Sequence, residues 1–279
     1  MRLSPSTIRV PHTAKSHDTF HYLLCSDLHL DSIHCERDLI KKHFDAIKVK
    51  NGKIFIFGDI LDIMATYGDR RMMREDIDPM FIVRGRSYLD LIIEYAIEFL
   101  MPYRENIVMI SKGNHETVIE KYHNTDPISR IIHGLGGNIY QGGYKGWVFF
   151  QYKVGQSTNT HRLHYHHGFG GNATRSKGML AVQMEAMRYP DAHTLVRGHT
   201  HQKWHDPSTT SERVRETGSI YTSSMDYLQL GSYKNGSLSD GGWEVEKNFM
   251  PTKMGGWFME HRVHKLKELH ITSTISEAK

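Results

Sequence analysis

The chain carries polar residues in short bursts, each at the end of an apolar run. They are Asp27-Leu28-His29, Gly58-Asp59 followed by Asp62, Gly113-Asn114-His115-Glu116, His166-His167-Gly168, and Gly198-His199-Thr200-His201. Among them are two carboxylates (Asp27, Asp59), one amide oxygen (Asn114) and four imidazoles (His29, His167, His199, His201), all donors that divalent cations accept. One structural zinc ion takes four donors in a closed site. This set is larger than that and too rich in oxygen for a soft metal. It suits two adjacent divalent ions sharing a carboxylate. Such pairs lie roughly 3.5–4 Å apart, activate water, and clamp the attacking and leaving oxygens of a displacement. The chain's 20 histidines strengthen the expectation, since imidazole is both a metal ligand and a near-neutral proton carrier.

Residues this far apart meet only if a scaffold brings them together. Residues 20–27 (FHYLLCSD), 53–59 (KIFIFGD) and 106–116 (NIVMISKGNHE) read as buried strands, the third running into a polar loop. Between them, 35–52 has helical spacing at Leu39, Ile40, Phe44 and Ile47, with Gly52 to stop it. A second helix is expected over 86–102, ending at Pro102. Alternating strands and helices predict an α/β layered domain. Further on, 146–155, 161–168, 192–201, 213–224 and 256–272 read as strands and 175–190 as a helix. The glycine-rich tract 230–256 reads as an irregular excursion. With no repeat or linker, residues 1–279 are expected to form one domain, its core over about 20–230 and an excursion and closing strand over 231–279. In open α/β sheets, ligands bind beyond the carboxyl ends of the strands, which is where the polar bursts fall.

The five bursts, "DLH" (27–29), "GDILD" (58–62), "GNHE" (113–116), "HHG" (166–168) and "GHTH" (198–201), resemble the calcineurin-like metallophosphoesterase superfamily, motif by motif and in the same order. "TGSIY" (217–221) also looks like that family's closing strand region, and beyond about Leu230 the resemblance fades. The resemblance implies a four-layer αββα sandwich of two mixed sheets flanked by helices, with the metal site at the carboxyl ends of the strands. It also implies that Asp27, His29 and His201 bind a first ion, that Asn114, His167 and His199 bind a second, and that Asp59 bridges them. His115 would be the catalytic acid or charge stabiliser, Asp62 would orient it, and Glu116 would support the ligands. His166 competes with His167. Neighbours on a strand point to opposite faces, and the family's ligand precedes glycine, so His167 is preferred. His164 and His166 would then be half-buried on the other face. The implied chemistry is in-line attack on phosphorus by water whose pKa the two cations lower. Mn2+ is favoured, with Fe, Zn or Mg as alternatives.

Taken singly, each burst has an ordinary explanation as a loop, turn or packed histidine; the ordered set does not. Two cysteines, Cys25 and Cys35, exclude a disulfide scaffold or a thiol-held zinc. No apolar signal core or membrane-spanning stretch is evident, so a cytoplasmic protein is expected. A formal charge of +4 is compatible with a phosphate-bearing substrate without establishing one. Ile63 and Met64 stand where the protein-phosphatase branch carries arginine and glycine, which argues against a Ser/Thr phosphatase. The compact "GHTH" form looks more like prokaryotic or viral phosphodiesterases, including nucleases. The segment 67–86 holds Arg70, Arg71, Arg74, Arg84 and Arg86, and reads either as a solvated cover or as a wall for a phosphate backbone, to which Lys112, Arg175 and Lys177 could add. The expected partner is therefore a phosphoester, DNA or RNA foremost. The alternatives are a small-nucleotide phosphodiesterase, a phosphomonoesterase, or a metal-holding scaffold without turnover.

Overall fold

The chain opens with two strands that its sequence does not announce, β1 (Arg2–Ser4) and β2 (Thr7–Thr13), paired antiparallel. The computed structural model describes residues 2–4, 6–63, 76–170, 179–214, 216–236 and 252–279. The expected run at 20–27 is β3 (Thr19–Cys25) and that at 53–59 is β4 (Lys53–Phe57). The third expected strand is β5 (Ile107–Ser111), followed by the short β6 (Tyr140–Gln141). These four pair in parallel, in that order. Parallel neighbours require crossovers. These are made by α1 (Arg37–Val49), α2 (Tyr88–Leu100), and the pair α3 (Asn114–His123) and α4 (Pro127–Leu135).

The second half builds the other sheet. Strand β7 (Lys145–Val154) pairs antiparallel with β8 (Ser157–His166), and β8 pairs in parallel with β9 (Thr194–Arg197). Helix α5 (Met179–Arg188) lies between β8 and β9 in sequence; residues 175–178 of the expected helix fall outside the described residues. Strands β10 (Trp204–Val214) and β11 (Ile220–Gln229) form a hairpin where 213–224 had been expected to be one strand. The stretch 256–272 is likewise two strands, β12 (Trp257–Lys265) and β13 (Leu269–Glu277).

The strand order is β1-β2-β7-β8-β9-β11-β10 in one sheet and β13-β12-β3-β4-β5-β6 in the other. One apolar core, with Phe44, Ile92, Ile93 and Ile131, lies between helices α1 to α4 and the second sheet. Another, with Phe55, Phe57, Phe150, Tyr165 and Met259, fills the space between the sheets. A smaller one joins Leu195 and Tyr227 to Ala186 and Tyr189 near α5. The result is the αββα sandwich that the motifs implied. Burying both faces of β3 and β4 explains why their sequences are continuously apolar instead of alternating.

Candidate metal centre

All nine candidate side chains lie just past strand ends. Asp27 and His29 follow β3, Asp59 and Asp62 follow β4, and Asn114 and His115 open α3 just after β5. His167 follows β8, while His199 and His201 follow β9. The site thus draws on both sheets. Asp27, His29, Asp59, His199 and His201 all adopt positive φ, between 48° and 71°. Non-glycine residues rarely do so, and they persist there only where surrounding structure holds them. Five strained residues in one cluster mark these turns as built to aim side chains. Gly113 shows how tightly the loops pack: a Cβ there would lie 2.0 Å from Asp59 Oδ1 and 2.5 Å from its nitrogen.

The donors converge in two groups. In the first, His29 Nε2 and His201 Nε2 face each other at 3.3 Å, with Asp27 Oδ1 at 3.9 Å and 3.4 Å respectively. In the second, His167 Nε2 lies 3.0 Å from Asp59 Oδ2 and 3.1 Å from Asn114 Oδ1, and His199 Nδ1 lies 2.7 Å from Asn114 Oδ1. The asparagine completes the cluster of Asp59, His167 and His199.

The far sides of the rings decide whether a cation fits. His167 Nδ1 donates to the Phe57 carbonyl at 2.8 Å, and His199 Nε2 donates to the Gly170 carbonyl at 3.1 Å. A carbonyl only accepts, so each ring turns its other nitrogen inward, toward Asn114 Oδ1 and, for His167, Asp59, and that nitrogen carries a lone pair whenever the ring is neutral. Oxygen and nitrogen donors aimed at one another need positive charge between them, a proton on His167 Nε2 in the metal-free site or a cation in its place, and this carbonyl-fixed tautomer is how metal-ligating histidines are held.

The electrostatics agree. Burial alone would favour protonation of Asp27 and Asp59. The surrounding imidazoles nevertheless hold Asp27 down at about 2, through His201 and His167, and Asp59 well below the usual range, chiefly through His167 and His115. Burial opposes a charge on His167, yet Asp59 and Asp27 raise its pKa to about 9. The pocket therefore attracts positive charge strongly enough to hold a proton on a fully buried imidazole. His115 is 10% exposed and His201 25%, whereas Asp27, Asp59 and His167 are buried, so the site opens on the side of those two histidines.

Between His166 and His167, only His167 faces this cluster. His166 Nδ1 accepts from the Gly168 amide at 2.9 Å and its ring packs against Tyr144. His164 is buried rather than half-buried, stacked on Tyr189 at 3.6 Å.

One supporting role differs from expectation. The Asp62 carboxylate lies 2.9 Å from His29 Nδ1 but 3.8 Å from His115 Nδ1. Its backbone carbonyl, 2.5 Å away, is what accepts from His115. Glu116 does support the ligands, but through the main chain: it accepts from the amides of Gly113 (2.8 Å), Asp59 (3.1 Å) and Leu61 (3.2 Å). Burial and the Asp59 charge push its carboxyl up to about 8. Asp31, not singled out from sequence, accepts from the amides of Asp62 (2.5 Å) and Ile63 (2.8 Å) and from the Tyr88 hydroxyl. An acid inside the apolar "DLHLD" stretch was its signal.

Arg70, Arg71, Arg74, Arg175 and Lys177 lie outside the described residues. Lys112 is tied to Glu120 and Asp126, each at 2.7 Å, and Arg86 to Glu94 at 2.6 Å. Cys25 and Cys35 are buried free thiols, and burial raises the pKa of both. Among the described residues no helix is long and apolar enough to cross a membrane.

An αββα sandwich with carboxylates and imidazoles gathered at its strand ends is the architecture of a metallophosphoesterase. Residues 20–203, well over half of the chain, match the calcineurin-like phosphoesterases, and the chain belongs to that family. None of the curated proteins matches it. Among solved structures, a conserved protein of Streptococcus pneumoniae described as a predicted phosphoesterase is similar at 13% identity, over 93% of this chain and 100% of that one, with a TM-score of 0.34. A metallophosphoesterase of Sphaerobacter thermophilus is similar at 13% identity, over 92% and 89%, with a TM-score of 0.33. Vps29 of Entamoeba histolytica, in complex with Zn2+, is similar at 10% identity, over 93% and 100%, with a TM-score of 0.36.

Proposed function

We propose that this protein hydrolyses phosphodiesters at a pair of divalent cations, Mn2+ foremost, with nucleic acid as the favoured substrate. The observation that carries the reading is the inward convergence of His167 Nε2, His199 Nδ1 and Asn114 Oδ1 beside Asp59, next to the facing rings of His29 and His201. Asp27, His29 and His201 would hold one ion, and Asn114, His167 and His199 the other. Asp59 would be the carboxylate they share. The bound ions would supply an activated water and stabilise charge building on the phosphoryl oxygens.

The chain's own residues do the rest. His115 Nδ1 donates to the Asp62 carbonyl, so a second proton, when present, sits on Nε2. That nitrogen lies at the open side of the cage, 3.8 Å from Asp59 Oδ2. It is placed to give its proton to a leaving oxygen. Phe169 supports a base-bearing substrate: it is 55% exposed, two residues past His167, and stacks over the Arg197 guanidinium at 4.8 Å. An exposed aromatic beside a phosphate site can stack a nucleobase.

The test is turnover of bis-p-nitrophenyl phosphate with Mn2+, then of single-stranded DNA, duplex DNA, RNA, a cyclic dinucleotide and a phosphomonoester. His115→Ala should lower turnover about 10²–10⁴-fold while retaining metal. Asp59→Asn should lose metal by elemental analysis. Bound metal without turnover on any ester would favour the scaffold reading.

A further inference from the structure

Lys234 lies beyond the part of the chain that matches the family, in the short segment after β11. Its Nζ sits 2.8 Å from Asp62 Oδ2 and 3.1 Å from Asp76 Oδ2, with the side chain only 10% exposed. The other oxygen of Asp62 lies 2.9 Å from His29 Nδ1, and His29 turns Nε2 toward His201 and Asp27. We propose that Lys234 is a positioning residue for the metal site: through Asp62 it fixes the His29 ring so that Nε2 faces the first ion. The inference rests on the metal-site reading above.

The charges explain why a lysine stands there. Asp62 is buried, and Asp31, also buried, is close enough to act on it electrostatically. Asp76 adds a third carboxylate, and Lys234 bridges it to Asp62. Without the ammonium, repulsion would turn the Asp62 carboxylate away from its neighbours, and His29 would lose the carboxylate that lies 2.9 Å from its Nδ1. The same segment braces Asp27 directly. The Tyr233 amide and the Ser232 hydroxyl both donate to the Asp27 carbonyl, at 2.9 Å and 3.1 Å. Residues 232–234 thus hold two members of the first group at once, one by its backbone and one through an intermediary carboxylate.

The test is Mn2+ binding by calorimetry, with the Co2+ absorption spectrum as a second readout, on wild type, Lys234→Met, Lys234→Arg, Asp62→Asn and the double variant Lys234→Met/Asp62→Asn. Lys234→Met should weaken one class of ion about 10–100-fold and leave the other unchanged. Lys234→Arg should recover most of the affinity. The double variant should bind no more weakly than Asp62→Asn alone, because both changes break one relay. Wild-type affinity in Lys234→Met, equal weakening of both ion classes, or additive losses in the double variant would overturn the proposal. If Lys234→Met does not fold, Lys234→Gln carries the same comparison; failure of both to fold would show a purely structural lysine and overturn it as well. A wild type that binds no ion would remove the metal site and this inference together, whereas a normal wild type beside an unaffected variant removes only the inference.

Discussion

The Asp62 carbonyl and His115 Nδ1 are 2.5 Å apart, so the main chain of residue 62 orients the histidine while its carboxylate is turned to His29. The two functions of Asp62 are therefore separable. Asp62→Asn keeps the carbonyl and should leave the His115 limb of the pH–rate profile in place. It should weaken one ion about 10–100-fold. Rate profiles at saturating Mn2+ check this; disappearance of the His115 limb would return the orienting role to the carboxylate.

The neighbouring histidines offer a sharp contrast. His167→Ala should release an ion, since His167 Nε2 lies within about 3 Å of Asp59 and Asn114. His166→Ala removes a ring that caps the Gly168 amide and should retain full metal content. Metal analysis of the two purified variants distinguishes them.

Gly113→Ala should abolish metal binding without unfolding the chain. The added methyl overlaps Asp59 at Oδ1 and at its backbone nitrogen, so the carboxylate must move. Circular dichroism should remain native while bound Mn2+ falls. Unchanged metal content would mean that the loop yields instead.

Glu116 accepts three buried amide hydrogens from the turns that carry Asp59 and Asn114. Glu116→Ala would leave them unsatisfied, at a cost of at least about 2 kcal/mol. Denaturant unfolding of metal-free protein measures it.

Acid should destabilise the inter-sheet core. A chain of contacts runs His12 Nε2–Tyr22 hydroxyl (2.8 Å), Tyr22–Tyr152 hydroxyls (2.7 Å), and Tyr152 hydroxyl–His261 Nδ1 (2.6 Å). Burial lowers the pKa of His261 to about 3 and that of His12 to about 4. The unfolded rings titrate near 6.5, so below that pH the unfolded chain binds more protons. The stability contributed by these neutral rings is complete above 6.5 and is lost as pH falls through that value toward 4. For His261 the loss is on the order of a few kcal/mol. His167, with its raised pKa, works in the opposite direction: its contribution is full below 6.5 and disappears as pH climbs through 9. Melting temperatures of metal-free protein between pH 4 and 6.5 should fall with acid, and His261→Phe should flatten that slope.

Strands β3, β4 and β5 were legible because each is an apolar run ending abruptly in polar residues, and their ends located the site. Helix α3 was not, because Gly113-Asn114 also reads as a turn; Glu116, three residues on and reaching back to the Gly113 amide, was the overlooked signature of a helix start. The β12–β13 hairpin was read as one strand because its turn, Leu266-Lys267-Glu268, has no glycine, proline or asparagine. The Lys234–Asp62 contact joins residues 172 apart in sequence and leaves no local pattern to read.

Strand β12 pairs with β3, setting Trp257 against Leu24, three residues before Asp27. Every candidate ligand is encoded before residue 202, yet the strand that delivers the first of them remains an open sheet edge until β12 pairs with it. On the ribosome, capture of ions would therefore follow synthesis of the β12–β13 hairpin that flanks this strand.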